Sequence, residues 1–395
     1  MAENGGRHHH VGSPRMKLGG TSSEARTRSV SMAARPTTFS TPVRALLPAV
    51  VAVGLLAGAC SSGDSSPTAV SSTAAPASTG TPTATSAVGS TTPGSTTAGS
   101  SAPATAPQSG SDLDLTALPL GDQRFSSAPE VGSVHACQTT FNGRGAFAQG
   151  PWIDADAGTW NMLDKITVEG EVAWPEATWA ETVEGDQRVI TSVALPVGHT
   201  TGVFPVASDS EAYDYDRNPN TIEAHDTQLS VPIRPVASAE PGCIGGEVGI
   251  MTTGVLIYSA FDAAGRDAVA TEIQDGCEGH PQAGGFYHYH GPSSCVEEIS
   301  GSAPGGGHSA LQGYAFDGFG IFGVFGEDGV LLSTADLDEC HGHTHEIEWD
   351  GGNVEMYHYH FTPDFPYTVS CFRAEPQVRS LSTGEGPTGP GGPRP

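Results

Sequence analysis

The chain has 395 residues, in which 44 Asp and Glu outnumber 17 Lys and Arg, and its formal net charge is −27 at pH 7. This charge argues against nucleic acid as a partner of the folded surface, because phosphate groups would be repelled. It favours solubility outside the cell and attracts cations without selecting one, although a merely solvated acidic surface would have the same composition.

The first 60 residues indicate export from a bacterial cell. Residues 1–31 precede Met32, which we take as the true start, so we interpret them as a non-native or disordered extension whose His8–His10 run has no function. Residues 32–60 are typical of a signal peptide, with a positively charged start followed by an apolar run at 45–56 that is too short to span a membrane.

Cys60 is the predicted lipidation site. The sequence LAGAC at residues 56–60 resembles the lipobox of bacterial lipoproteins, in which the cysteine sulfur carries a diacylglycerol. Two acyl chains attach a protein stably to a membrane, so we expect a lipid-anchored protein on the outer face of the cell membrane. Secretion after cleavage nearby is the alternative.

Low-complexity segments border the predicted domain. Residues 61–112 consist mainly of Ser, Thr, Pro, Ala and Gly, which bury too little apolar surface to fold, so we predict a disordered tether. Residues 379–395 are predicted to be a disordered tail for the same reason. The folded region is therefore 113–378, which is long enough for one large β domain or two closely joined parts.

Short β-type runs separated by turn signals dominate residues 113–378, and helical periodicity is scarce. We therefore predict a mainly β domain, antiparallel and sandwich-like or irregular, which is stapled by disulfides and has few short helices, one of them at 267–273. The predicted strands lie at 165–172, 188–195, 228–233, 248–259, 314–325 and 356–361.

Six of the seven cysteines fall inside this domain, and Cys60 stands apart. An even number of cysteines in an exported protein indicates three disulfides. Six reduced thiols are the alternative, but the sequence has no CxxC spacing, so a thiolate metal site is a poor fit. The six residues are Cys137, Cys243, Cys277, Cys295, Cys340 and Cys371.

The tetrapeptide Tyr-His-Tyr-His occurs twice, at 287–290 and at 357–360. Side chains alternate along a strand, so the two histidines of each copy share one face and can chelate one ion. If the two strands face each other, we expect one site that both of them build; two metal ions are the alternative. Surface or core histidines would explain a single such pair, but two identical copies favour a metal site.

Further histidines lie near the tetrapeptides. The segment DLDECHGHTHE at 336–346 places three histidines beside carboxylates, and His280 precedes the first tetrapeptide. Histidine clusters with carboxylates suit zinc, copper, iron or nickel. Methionine is sparse here, which disfavours a Cu(I) site built on thioethers, so copper(II) or zinc(II) is the expected cofactor.

The cysteines bracket the two tetrapeptides. Pairing Cys277 with Cys295 and Cys340 with Cys371 would hold each strand in place, and would leave Cys137 to pair with Cys243. Six cysteines allow fifteen connectivities, so this pairing is a hypothesis.

From about residue 160 to 373 the chain resembles the YHYH protein family, which is named for the tetrapeptide. The resemblance implies the fold of that family and a metal site, and it implies no secure enzymatic activity. Besides both tetrapeptides it rests on HTTGVFP (199–205), NPNTI (218–222), GCEGHPQ (276–282), GYAFDGFGIFG (313–323), LDECHGHTH (337–345) and FPYTVSCF (365–372).

Carried over position by position, the resemblance favours nine residues and departs from the family at two points. His341 stands where the family pattern has Asn, and GFGIFG at 318–323 stands where it has GFPIYG. The favoured residues are His199, His280, His288, His290, Asp317, Asp338, His343, His358 and His360. The main predicted metal ligands are six of these, namely His280, His288, His290, His343, His358 and His360. The secondary candidates are His199, which is also among the nine, and His341 and His345, which are not.

Three functions fit these observations. Our main interpretation is an extracytoplasmic, lipid-anchored metal-binding protein whose histidine-rich site is built from the two YHYH strands. A metal-dependent hydrolase or oxidase that uses the same site is the second, with Asp317 or Asp338 as the candidate general base, although no HExxH or GxSxG motif is present. A structural or adhesion module is the third. The expected partners are a metal ion and the membrane, and no nucleic acid.

Overall fold

The computed structural model describes residues 113–141, 143–301 and 307–383. The predicted extension, signal peptide, Cys60 and tether at 1–112 lie outside these ranges, as does the predicted tail beyond residue 383. The described part is mainly β, with few short helices and three disulfides, which confirms the predicted fold class.

The N-terminal half of the described chain forms three small sheets. Two hold very short strands, in the order β1-β5-β4 and β2-β3, and the third is the antiparallel sheet β6-β7-β8. The strands are β1 (Leu118–Pro119), β2 (Phe125–Ser126), β3 (Val134–His135), β4 (Ile153–Asp154), β5 (Thr159–Trp160), β6 (Trp179–Glu184), β7 (Gln187–Ser192) and β8 (Thr227–Pro232).

One large sheet contains the other eight strands, in the order β11-β12-β10-β9-β13-β14-β16-β15. It is mixed, because β12 runs parallel to β10 and β16 runs parallel to β14, whereas the other neighbours are antiparallel. Its strands are β9 (Glu247–Met251), β10 (Leu256–Tyr258), β11 (Gly279–Pro281), β12 (Tyr287–Tyr289), β13 (Leu311–Ala315), β14 (Gly320–Phe322), β15 (Gly342–Trp349) and β16 (Gly352–His360).

This sheet consists of two halves with the same internal order. The first repeat, β9 to β12, consists of the hairpin β9-β10 followed by the hairpin β11-β12, and β12 lies beside β10. In the second repeat, β13 to β16, the later strand of the second hairpin lies beside β14 in the same way. Strands β9 and β13 join the halves at the centre. The two tetrapeptides therefore occupy equivalent strands, β12 and β16.

Left-handed glycines explain why two predicted strands are hairpins. The predicted strand at 248–259 is split into β9 and β10 at Gly254, whose φ is +86°, and the one at 314–325 is split into β13 and β14 at Gly318, whose φ is +94°. Such angles suit glycine and reverse the chain. The remaining strand predictions at 188–195, 228–233 and 356–361 coincide with β7, β8 and β16 within a few residues.

The predicted strand at 165–172 is wrong. Val168 and Val172 make only isolated bridges, to Asp275 and Thr201, and Gly170 between them has a φ of +134° that interrupts an extended run. The short helix predicted at 267–273 is present as α1 (Ala268–Thr271), whose first turn is capped by the Asp267 carboxylate. A second helix, α2 (Ser294–Ser300), was not predicted.

The centre of the large sheet is buried on both faces. Every residue of β9, β10, β12 and β14 is buried, although successive side chains point to opposite sides. Both the histidines and the tyrosines of the first tetrapeptide are therefore removed from bulk solvent. The three disulfides join Cys137 to Cys243, Cys277 to Cys295 and Cys340 to Cys371, in the predicted pairs.

Candidate metal centres

The first cluster consists of His280, His288 and His290. His288 and His290 lie two residues apart at the end of β12 and so share a face, and antiparallel pairing of β11 with β12 places His280 directly opposite His288. One ring nitrogen from each residue lies within 4.8 Å of the others. All three side chains are at most 4% exposed.

Hydrogen bonds fix which ring nitrogen is free in two of the three histidines of the first cluster. The Nδ1 atoms of His288 and His290 donate to the carbonyl oxygens of Phe286 and Ser259, at 3.2 and 2.6 Å. In neutral imidazoles both Nε2 atoms then carry lone pairs, and they face each other at 3.1 Å. Two nitrogens that bind one ion at 2.0–2.1 Å stand about 2.9–3.3 Å apart, so this spacing suits a shared cation.

The second cluster consists of five histidines on the second repeat. His358 and His360 come from β16, and pairing of β15 with β16 sets His343 opposite His358. The Nε2 atom of His308 lies 3.2 and 3.0 Å from those of His358 and His360. The five ligand atoms all lie within 4.8 Å of one another, and the members are His308, His343, His345, His358 and His360.

The second cluster repeats the anchoring of the first. The Nδ1 atom of His358 donates to the Met356 carbonyl at 3.0 Å, and that of His360 donates to the Gly323 carbonyl at 2.6 Å. His308 uses its own Nδ1 in the same way, on the Ser309 carbonyl at 2.8 Å. A carbonyl on Nδ1 fixes the tautomer and turns Nε2 towards the centre, as is typical of metal-binding histidines.

Burial favours the neutral form of His280, His288, His290, His343 and His360. It lowers the pKa of His290 and of His343 to about 4, and it lowers the pKa of His280, His288 and His360 well below the ordinary value. Metal ions bind the neutral form, so protons do not compete for these nitrogens at neutral pH.

The tyrosines of each tetrapeptide lie on the opposite face from the histidines and hold the strand in place. The Tyr287 hydroxyl donates to the Asp275 carboxylate at 2.9 Å, and in the second repeat the Tyr357 hydroxyl donates to Asp338 at 2.9 Å. Each carboxylate also accepts backbone N–H groups of the chain that leads to the opposing histidine. The motif therefore orients histidines on one face and anchors the hairpin on the other.

The single site expected from two facing YHYH strands is wrong. Strands β12 and β16 lie in one sheet and are separated by β10, β9, β13 and β14, so they do not face each other. Each tetrapeptide instead meets the hairpin strand beside it. The six main predicted ligands are thereby divided between two clusters of the described chain, three in each.

Three of the remaining predicted residues lie outside the clusters and contact hydroxyl groups of other side chains. The Nε2 atom of His199 lies 2.6 Å from the Tyr289 hydroxyl, and the cysteines nearest to His199 are joined in a disulfide, so they offer no thiolate. His341 is buried and contacts the Thr362 hydroxyl at 3.0 Å. The Asp317 carboxylate accepts the Tyr359 hydroxyl at 2.6 Å. His345 belongs to the second cluster.

Two residues near the clusters were not anticipated. His308 lies in a glycine-rich segment, GGGHSA, that has neither strand pattern nor a neighbouring histidine. The Glu272 carboxylate lies 3.5 Å from His280 Nε2 and 3.6 Å from His290 Nε2. The repeated segments DGCEGH and DECHGH did carry a signal for the duplicated hairpin, in addition to the tetrapeptides.

Replacing Asp338 by alanine is expected to lower the free energy of unfolding by about 2 kcal/mol, because the Tyr357 hydroxyl and the N–H groups of Cys340 and Gly342 lose their acceptor. Urea denaturation of the metal-free protein measures this loss. Glu348→Ala removes an exposed carboxylate from the same hairpin and should change stability by less than about 0.5 kcal/mol. Equal stability of both variants would show that Asp338 anchors nothing.

Comparison with known proteins agrees with the resemblance in the sequence. Residues 228–329 match the family described as YHYH protein. The match covers the first tetrapeptide and ends before the second. Searches of curated proteins and of solved structures returned no significant match.

Proposed function

We propose that this chain, whose residues 228–329 belong to the YHYH protein family, is a metal-binding protein with two separate histidine sites. Each site binds one divalent ion, copper(II) or zinc(II). The first cluster provides three imidazoles, and the second provides up to five.

The facing lone pairs of paired histidines carry this proposal. In both repeats the Nδ1 atoms are engaged by carbonyl groups, and burial disfavours a proton on Nε2. Without a cation, the two Nε2 atoms at 3.1 Å in the first cluster would repel each other in a poorly solvated place. A bound ion converts this repulsion into coordination.

The donor set indicates the kind of ion. Imidazole nitrogen suits zinc, copper, iron and nickel, whereas magnesium and calcium prefer oxygen ligands. Both clusters are composed of imidazoles, with Glu272 beside the first and Glu327 3.6 Å from His345 in the second. Copper(II) stands at the top of the affinity order of the divalent first-row metals, and zinc(II) readily accepts imidazole ligands.

A structural or adhesion role is less compatible with this geometry. Histidines that merely pack would have no reason to bring one ring nitrogen from each of five residues, or from each of three, within 4.8 Å of one another. The alternative of a metal-dependent enzyme is supported by one observation, namely that the first cluster opens on a large cavity. Asp317 and Asp338 are poor candidates for its general base, because both bind tyrosine hydroxyls and backbone N–H groups.

We further propose that the protein acts outside the cell, held at the outer face of the membrane through Cys60. The predicted signal peptide at 32–60 supports this, and three disulfides fit an oxidising compartment. Among the described residues, none of the helices is long and apolar enough to cross a membrane. Mass spectrometry of the protein from its native membrane would detect a diacylglycerol on Cys60, and an unmodified mature N-terminus elsewhere would contradict the anchor.

Elemental analysis after equilibration with zinc tests the two-site proposal. The wild-type chain should hold two ions, and His288→Ala/His290→Ala and His358→Ala/His360→Ala should hold one each, because each pair belongs to a different cluster. Residues His8–His10 should be replaced by alanine in every protein, so that this run adds no ions.

The double variant His135→Ala/His225→Ala is the matched control, since it removes two imidazoles that belong to neither cluster and should keep both ions. Loss of all metal from either cluster variant would support one shared site. Retention of two ions in both variants would show that these histidines are not ligands.

A further inference from the structure

We propose that the ion of the first cluster takes a ligand from outside the protein, a water molecule or a small anion, whereas the second cluster fills the equivalent position with His308. This inference rests on the proposed function. It divides the two sites into one that is open to an external ligand and one that the protein saturates.

The first cluster lies at the wall of a large cavity. Its three histidines and Glu272 line a space of about 1380 Å³, together with apolar residues such as Phe141, Ile244 and Phe261 and polar ones such as Asn218 and Arg266. None of the five histidines of the second cluster lines this cavity. The volume exceeds the range of about 300–1,000 Å³ that is common for small-molecule sites, so an external ligand has room to reach the ion.

Within the part of the chain that the structure describes, three residues supply the ligand atoms of the first cluster. Glu272 is the nearest acidic neighbour, but it is not part of the group whose ligand atoms all lie within 4.8 Å of one another. Two atoms that both bind one ion at about 2.1 Å are at most about 4.2 Å apart. Glu272 therefore cannot join all three imidazoles as they stand, and it remains beside the coordination position.

Both nitrogens of His280 also lack a hydrogen-bond partner, although the ring is 3% exposed. An unpartnered buried ring directed into a cluster is costly unless a ligand completes it. An ion at the first cluster would satisfy one of these nitrogens, and an external ligand would reach it from the cavity that the three histidines line.

The repeats show what closes the second cluster. His308 lies three residues before β13 begins, and its Nε2 atom approaches those of His358 and His360. The equivalent position in the first repeat, three residues before β9, is Ile244, whose side chain lines the cavity. An imidazole in one repeat is thus replaced in the other by an alkyl group that cannot bind a metal.

Charge favours an anion in the open position. A divalent ion on three neutral imidazoles keeps its charge of two, and the low polarity of a buried site penalises an uncompensated charge. A small anion from the cavity would compensate part of this charge, whereas His308, His343 and His345 of the second cluster are partly exposed to water, which screens the charge there.

Azide binding to the copper(II)-loaded protein tests this division, because azide is a small anion that changes the absorption and electron paramagnetic resonance spectra of copper(II) when it coordinates. The variant His358→Ala/His360→Ala isolates the first cluster, and His288→Ala/His290→Ala isolates the second. We expect saturable 1:1 azide binding in the first, with a dissociation constant at least about tenfold lower than in the second, which corresponds to about 1.4 kcal/mol.

Adding His308→Ala to the protein that keeps only the second cluster should create an azide response, because it opens the position that the imidazole fills. This is a gain of signal, and it supports the proposal when the variant keeps its copper and the circular dichroism spectrum of its parent protein. When Glu272→Ala is added to the protein that keeps only the first cluster, the azide response should remain.

The outcomes separate the two proposals. Failure of either isolated cluster to retain copper would contradict the proposed function itself. Retention of copper with no azide response at the first cluster, or with equal responses at both clusters, would overturn the division and leave the metal sites standing. A response at the first cluster that appears only after Glu272→Ala would show that Glu272 closes the site, and would also overturn the division.

Discussion

Zinc loading of both clusters is expected to raise the free energy of unfolding by about 8 kcal/mol when free zinc exceeds the dissociation constant of each site a thousandfold, which is about 4 kcal/mol for each site. The gain arises because each set of ligands exists only in the folded chain. His280 meets His288 through the pairing of β11 with β12, and His343 meets His358 through the pairing of β15 with β16. Denaturant unfolding in zinc buffers, compared with unfolding in a chelator, measures the difference.

The double variants divide this gain into its two parts. His288→Ala/His290→Ala and His358→Ala/His360→Ala should each lose about half of the zinc-dependent stabilisation. His135→Ala/His225→Ala should keep all of it, since neither residue belongs to a cluster. A zinc effect that vanishes completely in one double variant would mean that a single site accounts for it.

Alternation along a strand made part of the site predictable from the sequence. His288 and His290 share one face, as do His358 and His360, because the side-chain period of a strand is two. His280 and His343 were also predicted as ligands, but of a single shared site, and the structure places one of them in each cluster; the cysteine brackets predicted the disulfide pairs. These inferences depend on residues that are near one another in the chain.

The order of strands in the sheet was not predictable from the same patterns. No local sequence pattern indicates that β9 pairs with β13. This pairing places four strands between β12 and β16. For the same reason, the segment that contains His308 gave no sign that it would reach His358 and His360. Long-range pairing depends on the whole hydrophobic surface of the sheet, which a local pattern does not contain.

The duplicated hairpin explains how two unlike sites arise from one motif. The anchoring is the same in both repeats, because Asp275 and Asp338 accept the same hydroxyl and backbone donors and the same carbonyl positions bind Nδ1. Only the residues around this frame differ, such as Ile244 in place of His308. The same hydrogen-bonded hairpin with different surrounding residues allows one site to bind an external ligand, while the protein supplies the equivalent ligand in the other.

Removing the Cys137–Cys243 disulfide by a pair of serines is expected to destabilise the metal-free protein most, by about 5 kcal/mol, because it links residues 106 apart and releases the largest loop in the unfolded chain. The same change at Cys277–Cys295, which links residues 18 apart, should cost about 3 kcal/mol. The bond between Cys340 and Cys371, 31 residues apart, should fall between these values. Denaturant unfolding of the three double-serine variants measures the order.

The two shorter disulfides should also differ from the longest one in their effect on metal binding. Cys277 lies between Asp275 and His280, and Cys340 holds the same place between Asp338 and His343, so loss of either bond loosens one hairpin and one cluster. Cys277→Ser/Cys295→Ser should therefore weaken zinc binding at the first cluster and leave the second unchanged, and Cys340→Ser/Cys371→Ser should do the reverse. Competition with a zinc chelator, carried out on proteins that retain a single cluster, separates the two effects. If Cys137→Ser/Cys243→Ser proved the least destabilising of the three, loop length would not govern these bonds, and strain or residual structure in the unfolded chain would have to explain their contribution.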